Sequence, residues 1–397
     1  MEMSTMNARP RIAYVSTYPP RECGIATFTR DLAQAILLRG HCKQNVIVAV
    51  EDEPSFDSSR KPVIHQHDRR SYVSAAGFLN ESNVDVVSLQ HEFGIYGGEW
   101  GEYILDFCKN IEAPLITTFH TVLTTPPEKA QDIVREISRL SSVIVVFVES
   151  AAKILANQYG IDKKKIEVIH HGAALPDRLR RGYARRHLQL QKRTVLATSG
   201  LISSGKGIEY AIKSLPYLVR ERPDLLYLVI GETHPEVRKR DGEAYRNKLV
   251  TLAKELRVER SVRFVDRYVP EDELSLFLQA TDIYIAPYLG RDQVSSGTIT
   301  LALTHGKAVV STPTIFAEEV LCNDRGLFCE FTDPSSIADC VKRILGEPGL
   351  RRRLEKNAFK YGEEVGWAKV ADEYGDVIRS AIPVGRTLVE TAEVAEV

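Results

Sequence analysis

Arg11–Gly40 reads RIAYVSTYPPRECGIATFTRDLAQAILLRG. Its first seven residues, Arg11–Thr17, form a short, mostly apolar run that suits a buried strand. Ile25, Phe28, Leu32 and Ile36 then recur at helical spacing, and Gly40 stands where such a helix would stop. Strand, turn and amphipathic helix in that order are the opening unit of a parallel sheet covered by helices. The turn between them, Tyr18–Ile25, predicts a helix start whose free N–H groups suit an anion. Cys23 and Gly24 stand at that start, with Gly24 placed for a close approach of the backbone. The turn is not GxGxxG, which disfavours a nicotinamide enzyme.

The alternation continues outward. Val46–Val50, Val84–Leu89, Leu115–Phe119, Val143–Val148 and Glu167–His170 read as further strands of one doubly wound domain. A second series follows at Val195–Ser199, Leu226–Ile230, Val262–Val265, Ile283–Ala286, Ala308–Ser311 and Leu327–Glu330. Helical patterns separate these at Gly207–Arg222, Tyr245–Leu256, Glu271–Thr281, Gly297–His305 and Ser335–Leu345. The expectation is an α/β protein of two facing, Rossmann-like, doubly wound domains. The first covers 1–190, with a helix at about 365–383 packing back on it. The second covers 191–364, and 384–397 read as a flexible tail.

Composition narrows the function. The chain has 397 residues, with 52 Lys and Arg against 53 Asp and Glu, a net charge of −1 that argues against a nucleic-acid binder. No apolar run nears the ~18–20 residues of a membrane span, and Met1–Pro10 lack the apolar core of a secretory signal. Six cysteines show no CxxC pair and read as reduced thiols, so a cytoplasmic location is expected. The run Arg178–Arg193 carries seven basic residues and no acid. Its plain reading is a solvated linker and helix face. Its sharper reading is a weak peripheral contact with phosphates or an anionic membrane.

Ligands of doubly wound sheets bind at the carboxyl ends of the strands, so residues just after strands carry the chemistry. His91, Glu92 and His120 fall there in the first half, without the further ligands a structural zinc needs. In the second half, Ser199–Gly207 reads SGLISSGKG. It is not a P-loop, because Gly207 stands where the Mg²⁺-binding hydroxyl belongs, yet Gly205 and Lys206 at a helix start still suit a phosphate. Ser295, Ser296, Gly297 and Thr298 open a later helix with hydroxyls beside unpaired N–H groups, which suits a diphosphate.

Taken together these motifs resemble the GT-B glycosyltransferases, and within them family 4. The best-matching pieces are Thr118–Thr121, Val168–Gly172, Gly200–Gly207, Ile230–Glu232 and His305–Thr312. The resemblance runs from Arg11 to about Arg379. It implies a C-terminal domain that binds a nucleotide sugar, an N-terminal domain that binds the acceptor, and a last helix that crosses back, around Trp367–Arg379. Lys206 matches the family's phosphate-binding lysine.

The departures are specific. Leu201 stands where the family has an arginine. The two family glutamates fall on Gln293 and Leu301, or, with one loop residue shifted, on Asp292 and Thr300. The resemblance therefore implies hexosyl transfer from a nucleoside-diphosphate sugar, such as a GDP- or UDP-hexose, to a sugar or glycan hydroxyl. No cofactor or metal is expected. Lys206 and the Ser296–Thr298 backbone would offset leaving-group charge. His120 would lie beside the transferred sugar, Gln293 or Asp292 would grip it, and His91 or Glu92 would orient or deprotonate the acceptor. With the second glutamate gone, Glu318 or Glu319 would reach the ribose. A sugar-nucleotide epimerase, or a degenerate, non-catalytic glycan-binding or partner subunit, are the competing readings.

Overall fold

A computed structural model describes residues 9–52, 62–176 and 180–383. The chain divides into two compact units. One takes Met1–His170 with Trp367–Val397, and the other takes His171–Gly366.

The first unit is built on seven parallel strands: β1 (Arg11–Ser16), β2 (Gln44–Glu51), β3 (Val63–His65), β4 (Val86–His91), β5 (Leu115–Phe119), β6 (Val143–Val146) and β7 (Ile166–Val168). Their order is β3-β2-β1-β4-β5-β6-β7. β4 and β5 are buried along their whole length, as strands covered by helices on both faces must be. The order reverses between β1 and β4, so a ligand crevice belongs at their carboxyl ends. The sequence reading omits strand β3, because its apolar stretch is only Val63–Ile64, between Pro62 and His65.

The helix Gly24–Leu38 buries Phe28, Leu32 and Ile36 as the spacing predicts. Ile25 is only partly covered. Against this helix lies Trp367–Ala381, from the far end of the chain. The Trp367 ring meets Phe28 edge-on at 5.3 Å. The Tyr374 hydroxyl lies 3.1 Å from Thr118 Oγ1 on β5, and Asp372 accepts from Arg39 and His41 at 2.8 and 2.7 Å. This helix is thus part of the first unit.

The second unit has six parallel strands: β8 (Thr194–Ser199), β9 (Leu225–Ile230), β10 (Val262–Val265), β11 (Ile283–Ala286), β12 (Ala308–Ser311) and β13 (Gly326–Phe328). Their order, β10-β9-β8-β11-β12-β13, reverses between β8 and β11. One core beneath this sheet joins Ile208, Ile212 and Leu215 to Tyr227, Ile285, Val310 and Val341. A second core on the other face joins Ala184 and Leu190 to Val195, Leu228 and Phe277.

That second core explains a correction. The expected boundary at 190/191 falls inside the second unit, because the helix Arg181–His187 packs there through Ala184. The basic run is also largely structural. The carboxylate of Asp282, only 3% exposed, pairs with Arg181, with Arg185 at 2.5 Å and with Arg351 at 2.8 Å, and accepts from Val195 N. Burial opposes this charge, but the three guanidiniums and the Val195 N–H hold its pKa below the usual carboxylate value. Arg193 donates to Leu225 O. Exposed Arg180, Arg186 and Lys192 are left for any outside partner, while Arg178 lies outside the described residues, as does the expected tail 384–397. Among the described residues no helix is long and apolar enough to cross a membrane, and all six cysteines are free thiols.

Candidate functional site

In the second unit the turn after β8 and the helix after β11 meet. Gly200 leaves β8 with φ +106°, its N–H bonded to Ile230 O at 2.9 Å. A Cβ on Gly200 would stand 3.2 Å from Lys206 Nζ and 3.1 Å from Thr298 Cγ2, so three segments crowd round one point. Half-buried Lys206 ends the short helical turn Ser204–Lys206. Its Nζ lies 3.5 Å from Ser199 O and 5.4 Å from the Tyr288 ring centroid, and neither contact neutralises it. Burial pulls the ammonium's pKa down, against a smaller upward pull from Tyr284. A phosphate placed here would restore the charge balance that burial disturbs.

The helix Gly297–Thr304 begins at the same place. Ser296 caps it, with Oγ accepting from Ile299 N at 3.3 Å. The first N–H groups of any helix lack partners within it, and these belong to Gly297 and Thr298. The Tyr288 hydroxyl holds the turn, 2.7 Å from Thr298 Oγ1 and 3.0 Å from Ser296 Oγ. His171 lies against Gly297, where a Cβ would come 3.1 Å from its ring. Its Nδ1 donates to Gly172 O at 2.8 Å, and burial lowers its pKa to about 4. Gly205 fixes the turn before Lys206 through its carbonyl, which accepts from Leu289 N.

The substituted glutamate positions behave differently. Gln293 ties its amide to Ser295 O at 2.9 Å, and Asp292 is exposed. Buried Thr300 donates to Ser296 O, so its hydroxyl is spent inside the helix. Glu318 is exposed and pairs with Arg291 at 3.3 Å, while half-buried Glu319 sits where its charge is felt by Tyr361. The ion pair of Glu318 is thus made to Arg291 and not to Lys206. Both lie on the helix Ile315–Val320, whose start is anchored to Arg291 O and Gln293 O.

In the first unit the carboxyl ends of β4 and β5 carry the expected residues, with one correction. His91 is fully buried, its ring between Phe93 and Phe119 at 5.1 Å each and stacked on Tyr96 at 6.0 Å. Neither ring nitrogen has a hydrogen-bond partner, and burial drives its pKa to about 3. It is a neutral core ring, enclosed too well to orient or deprotonate an acceptor. Glu92, the next residue, is half-buried and accepts from Thr121 Oγ1 at 2.5 Å and Phe93 N at 2.9 Å. Burial raises its pKa, while these donors and the Gly94 N–H pull it back. His120 Nε2 lies 3.0 Å from Gln90 Oε1, with Phe28 and Phe147 edge-on at 4.9 and 5.1 Å.

Cys23 serves as the cap of its helix, its Sγ accepting from Ala26 N at 3.2 Å with Thr17 Oγ1 at 3.0 Å. A Cβ on Gly24 would meet no protein atom within 4 Å, so the space beside this helix start is open on the protein side. Sequence reasoning also missed Tyr288, Gln90 and Thr121, and the link from Arg21 through Gln66 to Gly94 O. Among the described residues no three His, Cys, Asp or Glu side chains converge as metal ligands do.

Two family models cover most of the chain. Residues 23–175 match glycosyltransferase family 4, and residues 182–361 match the glycosyl transferases of group 1. The chain belongs to the family 4, group 1 glycosyltransferases. Among its relatives is the D-inositol 3-phosphate glycosyltransferase of Corynebacterium glutamicum (strain R), 26% identical over 294 residues, covering 68% of this chain and 67% of the relative. The chain thus spans about two thirds of the length of such relatives. Solved glycosyltransferases share the fold. Anabaena HepE in complex with UDP and glucose superposes with a TM-score of 0.74 at 12% identity, covering 94% of this chain and all of that one. Sucrose-phosphate synthase from Thermosynechococcus elongatus gives 0.74 at 16% identity, covering 94% and 99%. This glycosyltransferase therefore has the GT-B architecture, with Lys206 after β8 and the Ser296–Thr298 turn after β11 of its second sheet.

Proposed function

We propose that this glycosyltransferase moves a hexosyl unit from a nucleoside-diphosphate sugar, such as a UDP- or GDP-hexose, to a sugar or glycan hydroxyl without a bound metal. The observation that carries the reading is the meeting of Lys206, Gly200 and Thr298 at the start of the helix Gly297–Thr304. In the reaction the bond from the anomeric carbon to the diphosphate oxygen breaks. The Lys206 ammonium and the helix-start N–H groups offset the charge left on that oxygen. A bond to the acceptor oxygen forms, and the acceptor proton goes to the Glu92 carboxylate, which Thr121 orients. His120, held by Gln90, is the group assigned to the transferred sugar.

The named relatives act on an inositol phosphate, so a phosphorylated cyclitol joins sugars and glycans in the acceptor class to be tried. One observation favours a second reading, a non-catalytic partner subunit: Leu201, Gln293 and Leu301 replace the arginine and both glutamates of the family pattern. The test is incubation with UDP- and GDP-hexoses and these acceptors, with EDTA or with Mg²⁺, and product detection by mass spectrometry. Glycosylated product in EDTA supports the proposal. Product only with added metal removes the metal-free mechanism. An epimerised donor without acceptor points to the epimerase reading, and no turnover with tight donor binding points to the partner subunit.

A further inference from the structure

Tyr288 touches both halves of the Lys206 cluster, although the sequence gives it no motif. It follows β11, is 4% exposed, and its carbonyl accepts from Thr312 Oγ1 at 2.7 Å, which anchors its backbone. Its ring faces Lys206 Nζ, and its hydroxyl reaches Thr298 and Ser296. Tyr284, on β11 itself, extends the chain of hydroxyls: its OH lies 3.1 Å from both N and Oγ of Ser199.

We propose that Tyr288 is a positioning residue of the donor site, its ring holding the Lys206 ammonium and its phenol holding the Ser296 and Thr298 hydroxyls so that cation and helix start meet one diphosphate. The inference rests on the donor reading above. A lysine stem has four rotatable bonds, and fixing it costs side-chain entropy. An aromatic face within about 6 Å attracts the ammonium and lowers that cost. The phenol has one proton and can accept others, so it donates to one of the two hydroxyls and accepts from the other. Burial raises its pKa, so it stays neutral across the working range.

The titratable groups facing Lys206 are the phenols of Tyr284 and Tyr288. Diphosphate affinity should therefore fall on the alkaline side as Lys206 loses its proton. A Tyr288 ring that stabilises the charged ammonium should hold that alkaline limb at higher pH.

The experiment is calorimetric titration of UDP, GDP and inorganic pyrophosphate into wild type, Tyr288→Phe, Tyr288→Leu and Lys206→Ala from about pH 6 up to about pH 10.4, the ordinary lysine value. Tyr288→Phe should weaken diphosphate binding roughly three- to tenfold, the value of a lost hydroxyl contact, and keep the alkaline limb in place. Tyr288→Leu should weaken it further and move the limb to lower pH, a change that loose folding alone would not produce. If Tyr288→Leu fails to fold, the hydroxyl effect of Tyr288→Phe decides. Both foldable Tyr288 variants binding like wild type, while Lys206→Ala binds at least about tenfold more weakly, would overturn this inference and leave the donor reading standing. Lys206→Ala binding like wild type, or no diphosphate binding to wild type, would overturn both.

Discussion

Gly231 lies directly against Gly200: a Cβ on Gly231 would stand 2.2 Å from the Gly200 carbonyl oxygen. Its φ of +130° also excludes most side chains, and Arg246 fixes its carbonyl with a 2.8 Å hydrogen bond. Gly231→Ala should cost at least about 2 kcal/mol through strain and displaced backbone. It should also weaken UDP or GDP binding, because Gly200 opens the turn that carries Lys206. Calorimetry on the folded fraction and a melting curve check both. A variant with wild-type melting and binding would show that the two backbones part easily.

Asp282 faces Arg181, Arg185 and Arg351 in a nearly closed site. Asp282→Asn should destabilise the protein by about 3–5 kcal/mol, since three guanidiniums lose their counter-charge. Because the folded pKa lies below the ordinary carboxylate value, this contribution is fully present above about pH 4 and is lost as the pH falls further. Urea melts of wild type and variant should differ most at neutral pH and converge in acid.

His91→Leu should leave stability within about 1 kcal/mol of wild type, because the imidazole nitrogens make no hydrogen bonds and the volumes are similar. Turnover should be unchanged. A hundredfold loss of kcat with intact folding would return His91 to the catalytic residues.

Glu92→Gln should lower kcat roughly 10²- to 10⁴-fold, the usual worth of a general base. Burial raises the Glu92 pKa, so the acid limb of kcat/KM in wild type should sit above the ordinary carboxylate value. Above that pKa the carboxylate is ionised and the rate is full; the rate falls as Glu92 takes up its proton. The limb should vanish in Glu92→Gln.

Strands that repeat apolar residues over four or more positions were legible in the sequence, and so were Gly40, the capped helix Gly24–Leu38 and the helix starting at Gly297. β3 was not, since its apolar stretch is only Val63–Ile64, followed by the polar run from His65. The helix Arg181–His187 was read as linker because its charge masks one decisive residue, Ala184. At the site, Lys206, Ser296 and Thr298 could be found from spacing, because a glycine-flanked cation and a hydroxyl cap leave local signals. Tyr288 could not, since a tyrosine after a strand looks like core until its hydroxyl partners are seen. His91 misled in the opposite direction: a histidine at a strand end suggests chemistry, and only the three aromatic rings around it show a packing residue.

The helix Trp367–Ala381 fills a place beside Phe28, Thr118 and His41, all contributed by the first third of the chain. On the ribosome those residues emerge long before their partner is synthesised. Until Trp367–Ala381 leaves the exit tunnel, the face of Gly24–Leu38 that receives Trp367 stays wet, and the first unit can exist only as an unfinished body. A nascent chain stalled before Trp367 therefore contains a unit that has every described strand of its sheet and still lacks its closing piece, so the domain begun first is completed only after the whole second unit has been made.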